Sequence, residues 1–179
     1  MGQLLTPREK EVVRLISLGC TVNETARILS LTPSAANTFK TQAMQKLGVN
    51  KVALLTRVAL QHRITSMTDK LTPAEKSLCE HRSPTRIRQR NMLTTELTEK
   101  ETQTIRLASL GCTQIETAAI LKVAPSTVDT RKSRAMAKLD VNKAAILTRL
   151  AIKHGISNMR DKLTLTEKRR SGRKNDGWN

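Results

Sequence analysis

Tyrosine is absent from the sequence, and phenylalanine and tryptophan occur once each. With aromatics at 1% of 179 residues, the stacking platforms that hold single-stranded nucleic acids cannot be built. No apolar run approaches the ~18 residues of a membrane span, and no signal peptide opens the chain. The expectation is a cytoplasmic protein with no membrane partner. There is no glycine-rich phosphate loop, no metal-spaced cluster and no nucleophile elbow, so no enzyme, metal or cofactor is expected. Cysteine is scarce: three, at 20, 79 and 112, without CxxC or Cys/His spacing. Cys20 and Cys112 read as small buried hydrophobes, with a redox switch as the minor reading. Acids are in deficit, 15 against 32 Lys and Arg, which leaves a charge of +17. That charge predicts a polyanionic partner. The hydrophobic fraction, 38% and mostly aliphatic, is enough for small helical cores.

What the sequence does contain, it contains twice. Residues 5–76 align without gaps on 97–168, with about 40 of about 72 positions identical. "SLGCT" recurs at 17–21 and 109–113, "VNK" at 49–51 and 141–143, and "LTR" at 55–57 and 147–149. This is duplication of a small domain, not a solenoid, which needs at least three copies. Residues 1–76 and 97–163 each carry about +6, the connector 77–96 about +2 and the tail 164–179 about +3. No acidic half neutralises the basic one.

Each repeat reads as four helices, giving an all-α fold of two duplicated four-helix domains joined by a basic linker. The first helix opens at Thr6-Pro7-Arg8-Glu9, a capping box with Pro at the first helical position, copied at Thr98-Glu99-Lys100-Glu101. Val12, Val13, Leu15, Ile16 and Leu18 form its buried stripe, and Gly19 ends it. A second box, Thr21 with Glu24, is echoed by Thr113 with Glu116. Pro33 and Pro125 mark the start of the third helix, which runs to about Leu47 in repeat 1. The fourth starts after Asn50 and carries Leu54, Leu55, Val58 and Ala59. A further helix start lies at Thr72-Pro73-Ala74-Glu75, copied less well at 164–167.

Two short helices joined by a tight turn suggest a helix-turn-helix. The segment "LTPREKEVVRLISLGCTVNETARILSLTPSAANTFKTQAMQKLGV" resembles the LuxR/GerE-type domain, also called the NarL/FixJ effector domain. Repeat 1 keeps Leu5, Thr6, Arg8, Glu9, Glu11, Gly19, Glu24, Ala26, Leu29, Lys46, Leu47, Gly48 and Val49 of that pattern. Repeat 2 keeps Leu97, Thr98, Glu101, Gly111, Glu116, Ala118, Leu121, Thr127, Val128, Lys138, Leu139 and Val141. There are departures: Ala35-Ala36 replaces Thr-Val, the usual His becomes Phe39 and Arg131, and Asp140 stands where Gly48 stands. The resemblance implies a transcriptional regulator in the bacterial cytoplasm, nucleoid-associated, that binds double-stranded DNA through its third helices.

On those helices Ala36, Ala43, Met44 and Leu47 share one face, repeated as Val128, Ala135, Met136 and Leu139, and are expected in the core. The opposite face holds Ser34, Asn37, Thr38, Thr41, Gln42 and Gln45, and in repeat 2 Ser126, Asp129, Thr130, Ser133 and Arg134. Asn and Gln can read adenine, Arg guanine, an acid cytosine N4, and Thr a thymine methyl. Lys40, Lys132 and Arg131 read as phosphate clamps. In the connector, Arg86, Arg88 and Arg90 suit either a minor-groove arm or a solvated linker. The tail is expected to be disordered and to add salt-sensitive phosphate affinity.

Relatives in this family dimerise through the fourth helix, so a homodimer by that route is one expectation. The other is a covalent pseudo-dimer, with Leu54, Leu55, Val58, Ile146, Leu147 and Leu150 either at a repeat–repeat contact or inside their own domains. The connector is long enough for inverted or direct half-sites. No receiver or sensing domain fits into this length. Two rival readings remain at this point. One is a module resembling region 4 of sigma factors, with RNA polymerase as partner. The other is a non-specific architectural DNA-binding protein.

Overall fold

The computed structural model describes residues 5–79 and 97–173. Among these there are ten helices and no strand. Repeat 1 comprises α1 (Pro7–Ser17), α2 (Val22–Ile28), α3 (Pro33–Lys46), α4 (Val52–Gln61) and α5 (Pro73–Leu78). Repeat 2 comprises α6 (Glu99–Ser109), α7 (Gln114–Leu121), α8 (Pro125–Lys138), α9 (Ala144–Lys153) and α10 (Leu165–Ser171). The duplicated all-α architecture is as expected. Each repeat nevertheless has five helices rather than four.

Local chemistry starts these helices where the sequence says it should. Thr6, Thr21, Thr98 and Thr113 each accept from the backbone N–H three residues on, and the glutamate at that position accepts the threonine N–H. Each reciprocal box satisfies two N–H groups that a helix start leaves unpaired. α1 ends at a left-handed Gly19 (φ +93°) and α6 at Gly111 (φ +73°).

Apolar spacing then assembles the cores. In repeat 1, Val12, Val13 and Ile16 of α1 pack with Ala43 of α3 and Leu55, Val58 and Ala59 of α4. Met44, Leu47 and Phe39 lie half-buried against them. In repeat 2, Ile105, Ala135, Leu147 and Ala151 form the matching cluster, with Met136 and Leu139 at its edge. A second cluster under each α2 or α7 unites Leu15 with Cys20 and Cys79, or Leu107 with Ile120 and Leu163.

The tail departs from expectation. Residues 164–173 are ordered as α10 and its cap, and α10 packs on α7. The physical cause is again local and electrostatic. Thr164 and Glu167 form a capping box, Arg106 of α6 donates to Glu167 at 2.8 Å, and Gly172 caps the end in the left-handed region (φ +70°). Arg170 donates to the Ile120 carbonyl, and Arg173 to Glu116 and the Gly111 carbonyl. α5 is the counterpart in repeat 1, held by Arg14 on Glu75 at 2.7 Å.

The two repeats pack on each other through α4 and α9. Leu55 and Leu147 stay in their own cores, whereas Leu54 and Ile146 reach across. A Cβ on Gly111 would lie 2.9 Å from Leu54 Cγ, and one on Gly19 would lie 2.8 Å from Ile146 Cγ1. These glycines therefore serve both a left-handed backbone and a close approach.

Two arginines lock the contact. Arg57 of α4 is fully buried (0% exposed). It donates to Ser157 Oγ at 2.7 Å, to the Asp161 carbonyl at 3.2 Å and to the Asn158 carbonyl. Arg149 of α9 does the same to Thr65 Oγ1 at 3.3 Å, the Asp69 carbonyl at 3.3 Å and the Ser66 carbonyl. Around them, Lys51 donates to the Gly111 carbonyl at 2.6 Å and lies 3.4 Å from Glu116, while Lys143 lies 3.3 Å from Glu24. The arginine contacts, the Lys–Glu pairs and the leucine and isoleucine packing on the two glycines each have their copy in the other direction, as in a twofold-like, isologous contact.

Candidate nucleic-acid interface

The helix-turn-helix elements are α2 with α3, and α7 with α8. The turns pass through Ser30 and Lys122, both left-handed (φ +54°). Thr32 then caps α3 by accepting from Ala35 N–H at 3.2 Å. Ala124 stands at the same place before α8 and offers no side-chain cap.

The anchoring of each reading helix is electrostatic as well as apolar. Lys46, in the last turn of α3, donates to the buried Glu9 of α1 at 2.8 Å. Lys138 of α8 does the same to Glu101 at 2.8 Å. Burial alone would raise the Glu9 pKa, but the bonds from Lys46 and Thr6 hold it below the ordinary carboxylate value. The Lys138 and Thr98 bonds lower that of Glu101. These carboxylates stay charged and keep two lysines engaged with α1 and α6.

With Ala36, Ala43, Val128 and Ala135 buried as expected, the opposite faces of α3 and α8 meet solvent. Ser34, Asn37, Thr38, Thr41, Gln42 and Gln45 are all exposed, and so are Ser126, Asp129, Thr130, Ser133 and Arg134. Lys40, Arg131 and Lys132 are half-buried at the flanks. One detail refines the reading face. The Thr38, Thr41 and Thr130 hydroxyls donate to the carbonyls of Ser34, Asn37 and Ser126 at 3.0, 2.9 and 2.9 Å. Their protons are thus spent inside the helix, and what they offer outward is a methyl group and an acceptor lone pair.

Phe39 and Arg131 occupy one position with different roles. Phe39 leans on the repeat 1 core, whereas Arg131 keeps a guanidinium at the flank of α8. The connector arginines Arg86, Arg88 and Arg90 lie outside the described residues. Thr6 and Thr98 have their side chains in capping boxes. Sequence reasoning did not foresee Arg57, Arg149, Lys51 or Lys143 as determinants of the relation between repeats. Their signal was present in the recurring "LTR" and "VNK" strings, which keep the residues without saying what they touch.

Two further titratable groups, Cys112 and Glu116, lie away from the exposed faces of α3 and α8. Burial pushes the Cys112 thiol up to about 11, so it stays protonated and unreactive. Glu116 goes the other way. Burial alone would raise its pKa, but the Arg173 guanidinium and Thr113 N–H bring it down to about 2. No helix among the described residues is long and apolar enough to cross a membrane.

Two compact helix-turn-helix units, each with a polar solvent-facing third helix, define the class: a duplicated helix-turn-helix protein. The description "Bacterial regulatory proteins, luxR family" (GerE) matches residues 3–59 and again residues 95–151. The two matches together span more than half of the sequence, and the chain belongs to this family of DNA-binding regulators. It is also similar to the transcriptional regulatory protein MctR of Rhizobium johnstonii, 40% identical over 62 residues, or 35% of this chain. The match spans 29% of the length of that relative. No solved structure matches the chain.

Proposed function

We propose that the chain regulates transcription as a covalent pseudo-dimer that reads a two-part site on double-stranded DNA. The observation that carries this reading is the reciprocal packing of α4 on α9. A twofold-like relation sets the two third helices in opposite senses, which suits inverted half-sites about one helical turn apart, ~34 Å. Pairing inside one chain replaces a homodimer through the fourth helices, and linkage raises the effective concentration of the second head.

The reading faces differ, so the half-sites should differ. Asn37 and Gln42 of α3 suit adenine. At the equivalent positions of α8, Asp129 suits cytosine N4 and Arg134 suits guanine. Lys40, Lys132 and Arg131 supply phosphate contacts at the flanks, and the surplus of basic residues adds a salt-sensitive grip.

The test is selection of bound DNA by the full chain at physiological salt. The expected product is an inverted site with unequal halves. Gln42→Arg should move one half toward guanine by about 1–3 kcal/mol of discrimination and leave the other unchanged. A single half-site, or an affinity within a few fold of bulk DNA, would overturn the reading. The second outcome would favour an architectural role.

A further inference from the structure

One cluster is not accounted for by DNA reading. Cys20 lies just after Gly19 in the turn between α1 and α2, Glu24 lies in α2, and Cys79 caps α5. All three residues are buried, and their ligand atoms lie within 4.8 Å of one another. The two sulfurs are 3.8 Å apart although 59 residues separate them in sequence. We propose that Cys20 Sγ, Cys79 Sγ and the Glu24 carboxylate form a site for one zinc-like divalent cation in repeat 1.

The geometry favours a metal over a disulfide. A tetrahedral ion with ~2.3 Å Zn–S bonds separates its sulfurs by ~3.8 Å, so the spacing that the thiol–thiol hydrogen bond now holds would admit the ion without moving either sulfur. A disulfide needs ~2.05 Å, so the sulfurs would have to close by nearly half that gap. Both cysteines are also shielded, 5% and 6% exposed, which keeps an oxidant away. Two sulfur ligands and one carboxylate are a donor set that suits Zn(II), with the fourth position left to water.

Charge accounting agrees. Two thiolates and a carboxylate carry three negative charges, and a divalent ion leaves one. Lys143 of the other repeat, 3.3 Å from Glu24, balances it. The protons released from the two thiols pass to solvent.

The duplicate supplies an internal control. Repeat 2 keeps Cys112 and Glu116 at the corresponding places, but Ser171 stands where Cys79 stands. The fold therefore accepts serine at this position and does not require the second sulfur. An ion at this site would join α5, at the root of the connector, to the turn whose Gly19 packs near Ile146 of repeat 2. It would tie repeat 1 together beside the contact that relates the two reading helices.

The experiment titrates Co(II), then Zn(II), into the reduced full chain. One Co(II) per chain should bind, with a thiolate charge-transfer band and tetrahedral d–d bands that Zn(II) abolishes. Cys79→Ser should lose the band and keep its metal-free melting curve. Cys112→Ser should keep both. Zn(II) should raise the melting temperature of the unsubstituted chain and leave that of Cys79→Ser unmoved. Absence of a thiolate band overturns the proposal, as does a band that survives Cys79→Ser. A reduced chain that takes up no metal but links Cys20 to Cys79 under glutathione disulfide also overturns it, and marks the pair as a plain dithiol.

Discussion

At the start of the reading helix, repeat 1 has Thr32 and repeat 2 has Ala124. Where α3 ends, repeat 1 has Gly48 in the left-handed region, and repeat 2 has Asp140 in the same backbone (φ +64° and +54°). After α4 the exchange runs the other way, with Arg63 left-handed in repeat 1 and Gly155 in repeat 2. In the core, Val12 and Ile16 of α1 become Thr104 and Ala108 of α6. The Thr104 hydroxyl is buried and donates to the Lys100 carbonyl at 2.8 Å. Near-identical folds thus rest on unequal local support. The left-handed turns balance, two non-glycine residues in each repeat, but repeat 2 has the weaker cap and the less apolar first helix, and gains Arg170 and Arg173 as anchors for its α7–α10 corner. The lesson is that a duplicated domain can lose local terms when the contact with its sister holds it in place.

The strongest way to break this comparison is to cut the contact. Arg57→Ala leaves the Ser157 hydroxyl and two carbonyls without their buried cationic donor. We expect a loss of about 1–3 kcal/mol for each buried acceptor left unpaired, read by urea unfolding of the full chain. Arg149→Ala should cost less, because Arg149 is 9% exposed. Where the unsubstituted chain unfolds in one transition, Arg57→Ala should split it, with repeat 2 unfolding first.

Acid should loosen both repeats, and with them the contact between Glu24 or Glu116 and the opposite repeat. Glu9, Glu24, Glu75, Glu101 and Glu167 all have pKa values below their ordinary ones, and Glu116 lies at about 2. A carboxyl whose folded pKa is depressed adds stability above its unfolded value. For Glu116 that stability fades between about pH 4.5 and 2. Melting temperature should therefore fall through this window, and Glu116→Gln should flatten the fall.

The glycines come next. Gly19→Ala and Gly111→Ala each put a methyl against the opposite repeat in a left-handed backbone. A loss of about 1–3 kcal/mol is expected from denaturant curves. Trimming Ile146 to Val should recover part of the Gly19→Ala loss, and a flat double-mutant cycle would sink that account. The smallest effects would level the two repeats. Ala124→Thr should stabilise by about 1 kcal/mol, and Thr32→Ala should cost about as much. Asp140→Gly should also stabilise, through relief of the left-handed conformation.

The sequence alone determined what is local. Capping boxes, glycine stops and apolar spacing specify helices over a few residues, so the repeat, the helix-turn-helix and the polar face of α3 and α8 were all legible. The start of α10 was visible at Thr164 and Glu167, but its packing was not, because Arg106 lies far away in sequence. Only the tertiary structure decided how the copies meet. An apolar fourth helix reads alike whether it covers its own core or a sister repeat, and α4 does both. An arginine is ordinarily a surface residue, so nothing in "LTR" says that Arg57 is buried against the other repeat's carbonyls. Cys20 and Cys79 likewise carry no metal-like spacing until folding brings α5 onto the α1–α2 turn. Helix starts follow from neighbours in the chain. Interfaces and ligand clusters follow from neighbours in space, which only packing supplies.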